Sequence, residues 1–92
     1  MGRAYGDPVE VVAAEDGRPT SFVWRYRQHT VLRVLEHWVA TRDWWREEDP
    51  EAEETGVQEF WRVEATPELE VGIYELRYAT LTQSWMLTRT WT

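Results

Sequence analysis

The sequence predicts an all-β domain, a small antiparallel barrel or open roll of five to seven strands with a tryptophan-rich core. Three observations carry that expectation. Short apolar and aromatic runs recur at spacings of about 8–12 residues, with turn residues between them. Within most runs the bulky side chains fall at period two, which is one face of a strand. The 92 residues also include seven Trp, four Tyr and two Phe, and one large ring buries about 150–250 Å². A chain of this length forms one domain that buries roughly 60–65% of the surface exposed when unfolded. Aromatic rings can supply most of so thin a core.

The elements follow in order. Residues 1–6 are expected to be a flexible N-terminus, and residues 7–92 a single β domain. "PVEVVAAEDGRPTSFVW" sets a valine-rich run and an aromatic run on either side of Asp16-Gly17-Arg18-Pro19. Asp-Gly between apolar segments is a strong hairpin signal. In "SFVWRYR", Phe22, Trp24 and Tyr26 fall on one face, and Val23, Arg25 and Arg27 on the other. The next turn is expected near Arg27–Gln28, with "HTVLRVL" as the returning strand.

Residues 31–45 carry two signals. Val31, Val34, Leu35 and Trp38 stand at i, i+3, i+4 and i+7, a helical spacing. The same stretch is rich in β-branched and aromatic residues and lacks a well-placed helix stop. The expectation is a strand with a bend or bulge near Glu36–His37; the alternative is one short helical turn near residues 34–40. That strand should end at Trp44–Trp45.

An acidic loop follows at about 46–57. "REEDPEAEET" contains Pro50 and no apolar residue larger than alanine, so it cannot bury enough surface to offset its ordering entropy. Beyond it, "QEFWRVEA" puts Trp61 and Val63 on one face and Phe60, Arg62 and Glu64 on the other. Thr66-Pro67-Glu68 marks a turn. Tyr74, Leu76 and Tyr78 share a face of "GIYELRY", and Trp85, Leu87, Arg89 and Trp91 share one in "SWMLTRTWT". The candidate core is Phe22, Trp24, Trp38, Trp61, Val63, Tyr74, Leu76, Trp85 and Leu87.

Composition narrows the function. There is no cysteine, which excludes disulfides, zinc-thiolate sites and thiol nucleophiles and points to a cytoplasmic location. No segment resembles a signal peptide or approaches the ~18 apolar residues of a membrane span, so no membrane partner is expected. The net charge of −7 is uneven. Residues 1–46 sum to +1, residues 47–59 to −7 and residues 60–92 to −1. The acidic segment therefore accounts for the whole excess, and the rest of the domain is near neutral. All ten basic residues are arginine.

No catalytic motif is present. Only His29 and His37 could act as neutral-pH bases, and a strand histidine is usually a half-buried structural residue. No Walker loop, H-E-x-x-H or G-x-S-x-G occurs, so the expectation is a non-enzyme without cofactor. Glu47, Glu48, Asp49, Glu51, Glu53 and Glu54 offer oxygen ligands, but their spacing is not that of an EF-hand; no metal site is expected. Arginines do interleave with aromatics in "WRYR", "FWR" and "LRY". Trp, Tyr and Arg dominate protein-interface hot spots. Arg25, Trp45, Phe60 and Arg62 are therefore the candidate partner-binding residues of a protein-interaction module. The alternative is weak single-stranded nucleic-acid binding by the same Arg/aromatic face, which the net negative charge opposes. Self-association through an exposed strand edge is a related reading.

The order of motifs carries a resemblance. "DGRPTSFVWRYRQHTVLRV", "WVATRDWW", an acidic gap, "EFWRVEA", "GIYELRY" and "WMLTRTW" resemble a small uncharacterised bacterial domain family of the DUF6504 type. They are also similar to the C-terminal region of the catalytically inactive Y-family DNA polymerase-like protein of the bacterial mutasome. Trp38, Trp44, Trp45, Phe60, Trp61, Arg62, Val63, Tyr74, Leu76, Trp85 and Leu87 carry the match, which covers residues 7–92. The chain departs at Tyr26, where relatives usually carry Gly, and at Trp91-Thr92, where they often end in a tyrosine or phenylalanine with Asp. Its acidic insert is also long. The resemblance implies a non-catalytic appendage tied to DNA-damage tolerance, with a DNA-repair or translesion-synthesis protein as its partner.

Overall fold

A computed structural model describes residues 2–41, 57–80 and 82–91. They form six strands: β1 Gly2–Ala13, β2 Pro19–Trp24, β3 Arg27–Thr41, β4 Val57–Thr66, β5 Gly72–Ala79 and β6 Ser84–Trp91. Each pairs antiparallel with the next, and β6 returns to β1, closing a six-stranded barrel. In so small a barrel the interior is filled by side chains rather than by a channel. Phe22, Trp61, Val63, Ala65, Tyr74, Leu76 and Leu87 are buried there, with Trp24 and Trp85 packed partly exposed against them. No helix among the described residues is long and apolar enough to cross a membrane.

The chain from Gly2 onward, read from sequence as part of a flexible terminus, enters β1. Gly2, Arg3 and Ala4 pair with Trp91, Thr90 and Arg89. Those ladder bonds organise a segment whose own composition gives no strand signal. The first hairpin turns where Asp16-Gly17 predicts. Gly17 takes φ +93° and donates its N–H to Ala14 O (2.9 Å), while Arg18 N–H is capped by Asp16 Oδ1 (3.0 Å).

The second hairpin turns at Arg25-Tyr26, two residues earlier than expected. Trp24 pairs with Arg27, and both intervening residues have positive φ, 57° and 66°. That is the backbone of a two-residue type I′ turn, whose twist matches the strands it joins. Phe22 and Trp24 therefore point inward, and Tyr26 stands fully exposed at the tip.

Residues 34–40 form no helical turn; β3 is strand throughout Arg27–Thr41. Its register against β4 slips between Val31 and Arg33 and again between Val34 and Glu36. Each slip is a bulge, at Leu32 and at Leu35, and each resets the in/out alternation. Val31 and Val34 thus both pack on the core although they are three residues apart. A three-residue step between inward side chains imitates helical periodicity. The second bulge lies just before the expected position at Glu36–His37.

The same slip corrects Trp38. It is opposite Phe60, on the outer face of the sheet, and is not a core residue. β6 is corrected in the same way. Leu76 faces Leu87 while Glu75 faces Arg89, so Thr88 is extra. Arg89 and Trp91 consequently point outward while Thr90 is buried.

Candidate functional site

Two places on the barrel gather side chains with recognition chemistry. The first is the outer face of β3–β4–β5–β6. The rungs of the ladder set its rows: Trp38, Phe60, Arg77 and Met86 in one, and Glu36, Arg62, Glu75 and Arg89 in the next. Alternation along β4 and β5, with the bulges of β3 and β6, puts them there, because the intervening Trp61, Val63, Leu76 and Leu87 are inside.

The packing on this face is tight. Trp38 and Phe60 stack with ring centroids 5.3 Å apart and planes within 4° of parallel. The Arg62 guanidinium lies between two indoles, 5.6 Å from the Trp38 ring and 4.6 Å from that of Trp91. A cation over an indole face gains about 0.5–1 kcal/mol at exposed sites and more where desolvated. Arg62 Nη1 also pairs with Glu36 Oε1 at 3.0 Å. Its neighbour Arg77 donates from Nη2 to Met86 Sδ at 2.9 Å. The Nε atoms of Arg62 and Arg77 are buried without hydrogen-bond partners among the described residues. Arg33 reaches Glu64 Oε1 at 2.9 Å, and Thr88 Oγ1 donates to Glu75 Oε2 at 2.8 Å.

Of the four candidates from sequence, Phe60 and Arg62 belong to this patch. Arg25 sits apart on the β2–β3 turn, over Trp24 (4.6 Å) and Tyr5 (4.9 Å) and 3.8 Å from Asp7 Oδ2. Trp45 lies outside the described residues, as does the acidic loop. Sequence reasoning missed Trp38 and Trp91 as surface residues, because parity counted along each strand ignores the bulges. The faint signal for Trp38 was the doubled, helix-like spacing of valines before it.

The second place is a cavity of about 570 Å³ at the end of the barrel near the β2–β3 turn, lined by Trp24, Arg25, Arg27, His29, Tyr74 and the loop between β4 and β5. His29 is only 4% exposed. Its ring stacks on Phe22 at 4.8 Å and meets Tyr74 edge-on at 5.2 Å. Its Nδ1 is 2.9 Å from Arg27 O; a carbonyl only accepts, so Nδ1 carries the proton and Nε2 is left as an acceptor. Burial lowers the His29 pKa below its usual 6.5, against the opposing effect of that hydrogen bond, and holds the ring neutral. Burial likewise raises the pKa of Tyr74. His37 instead stacks on Trp61 at 3.7 Å and contacts Glu59 at 3.3 Å. No group of three metal-ligating side chains occurs among the described residues.

No curated protein and no solved structure shows significant similarity to the chain. A family model described as "Domain of unknown function (DUF6504)" matches residues 1–92. The chain therefore belongs to the DUF6504 family.

Proposed function

We propose that the domain is a non-catalytic protein-interaction module whose contact surface is the outer face around Trp38, Phe60, Arg62 and Trp91. The observation that carries this reading is the Arg62 guanidinium held between Trp38 and Trp91, with Phe60 stacked on Trp38. Preordered aromatic and arginine side chains lose little entropy on binding and are the residue types that concentrate binding energy in interfaces. Similarity of the motif order to the C-terminal region of the mutasome's polymerase-like protein supports a partner from DNA-damage tolerance in a bacterial cytoplasm.

Binding of single-stranded nucleic acid by this face is the weaker reading. Arg33 faces Glu64, Arg62 faces Glu36 and Arg89 is opposite Glu75. A phosphate backbone needs uncompensated positive charge, and these carboxylates cancel it locally. Self-association by strand addition at β3 beyond Thr30, where β2 no longer pairs with it, is disfavoured by the two bulges there, which interrupt a regular ladder.

The experiment is genetic. Phe60→Ala and Arg62→Glu would be introduced into the chromosomal copy and compared with a deletion for damage-induced mutagenesis. Both variants should reproduce the deletion while the purified proteins keep a cooperative melting transition. Wild-type mutagenesis in both variants, with the deletion defective, would move the contact elsewhere.

A further inference from the structure

The cavity at the barrel end is separate from the outer-face patch and presents a different chemistry. Its cations are Arg25, which already has Asp7 Oδ2 at 3.8 Å, and Arg27, and Glu70 is the carboxylate of the lining. Arg27 is the cation left to meet an anionic group on a ligand, with Glu70 in the same lining to meet donors. Arg27 is available to such a ligand: its only carboxylate contact among the described residues is Glu68 at 4.0 Å, with both side chains mostly exposed.

The rest of the lining asks for a planar body. Trp24, Tyr74 and His29 form an aromatic corner, with Trp24 6.0 Å from His29 and 6.1 Å from Tyr74. Pro67, Val71 and Gly72 complete the wall. Gly72 lies directly beneath the Tyr74 ring; a Cβ there would come within 3.1 Å of Oη, so the ring is held against bare backbone. The free hydrogen-bonding groups are specific too. His29 Nε2 and the Glu70 carboxylate accept, while Tyr74 Oη can donate; none has a protein partner among the described hydrogen bonds. A volume of about 570 Å³ is within the range of small-molecule sites, about 300–1,000 Å³.

The turn that forms the rim carries a cost. Arg25 and Tyr26 both hold left-handed backbone, which is unfavourable for residues with a side chain. Strain of this kind collects at functional sites, and here it fixes Arg25 over Trp24 at the cavity mouth.

We propose that this cavity binds a guanine nucleotide through its base and phosphate, either as the free 5′-monophosphate or as the 5′-terminal unit of a single strand. Glu70 and His29 Nε2 accept from the N1–H and N2–H groups of the base. Tyr74 Oη donates to O6, the base packs against Trp24 and Pro67, and the phosphate meets Arg27.

The test is an NMR titration of the full chain with guanosine 5′-monophosphate, following the backbone amides of Arg27, His29, Gly72 and Tyr74. Saturable shifts at those amides are expected, with guanosine and ribose 5-phosphate each binding about tenfold more weakly or worse. Arg27→Glu should lose about tenfold in affinity, and Arg62→Glu on the outer face should lose none. Tyr74→Phe keeps the ring and removes the hydroxyl. It should weaken the nucleotide while leaving ribose 5-phosphate unchanged, and it carries the test if Arg27→Glu fails to fold. A 5′-phosphorylated strand beginning in guanosine that binds more tightly than the mononucleotide assigns the site to strand ends; equal or weaker binding assigns it to the free nucleotide. The proposal is overturned by the absence of saturable shifts up to about 10 mM. It is also overturned if ribose 5-phosphate or L-tryptophan binds as well as the nucleotide, or if Arg27→Glu binds normally. None of these outcomes bears on the outer-face interaction.

Discussion

Tyr26 occupies a backbone position that suits glycine. Its φ of 66° is left-handed and its side chain is fully exposed, so no packing offsets the strain. Left-handed backbone costs a side-chain-bearing residue about 1–2 kcal/mol, and glycine recovers most of that while adding its own entropy in the unfolded chain. Tyr26→Gly should therefore stabilise the domain by about 0.5–1 kcal/mol. Thermal unfolding checks this: Tm should rise by roughly 2–8 °C, and an unchanged or lower Tm contradicts the turn geometry. His29 gives a second prediction at this scale. Its pKa is lowered in the folded state by burial, so the unfolded chain binds the proton more readily. Stability from this group is then complete above its unfolded pKa of about 6.5 and declines as pH falls through and below that value. Between pH 7 and pH 5, above the main carboxylate range, wild type should lose denaturant stability. His29→Gln should show a flatter slope over the same interval, whatever its absolute stability. Equal slopes would mean that His29 protonates without penalty.

At the scale of elements, β3 decides which side chains face the core. Leu32 and Leu35 are exposed bulge residues, whereas Val34 packs on the core. Leu35→Ser should change stability by no more than about 0.5 kcal/mol, and Val34→Ser should cost clearly more. Likewise Trp61→Ala should cost about 3–5 kcal/mol, with Trp38→Ala well below it because Trp38 lies outside the barrel. Urea titration of the two tryptophan variants checks the order, and equal losses would restore Trp38 to the core. This strand also explains what could be read from sequence. Val63, Leu76 and Leu87 follow unbroken alternation close to their place in the fold, so period two assigns them correctly. Asp16-Gly17 announces its turn because its chemistry is local. Bulges are set by pairing with a neighbouring strand. Within β3 only the three-residue valine step hints at them, near enough to suggest a bulge about Glu36–His37 but not to single out Leu32 or Leu35. Nothing in β6 marks Thr88 as the extra residue. The outward turn of Trp38 and Trp91 was therefore hidden. Phe60 and Arg62 were legible as surface candidates because β4 carries no bulge of its own.

The whole molecule is a closed barrel whose excess charge is confined to one segment of sequence. Residues 47–59 hold the entire net −7, and three arginines of the outer face, Arg33, Arg62 and Arg89, sit opposite carboxylates. An interaction through this face should therefore depend on shape and aromatic packing more than on long-range attraction, which is screened beyond about 8 Å at physiological salt. The central claim is that the patch around Phe60 and Arg62 contacts another protein. The measurement that tests it most directly is site-specific photo-crosslinking in host cells. A photoreactive phenylalanine analogue would replace Phe60, with Val12 on β1, which is also exposed, as the reference position. The account predicts a discrete adduct to a second protein from position 60, absent from position 12 and lost when Arg62→Glu is added to a chain that still folds. The same adducts from both positions, or an adduct at 60 that survives Arg62→Glu, would contradict it.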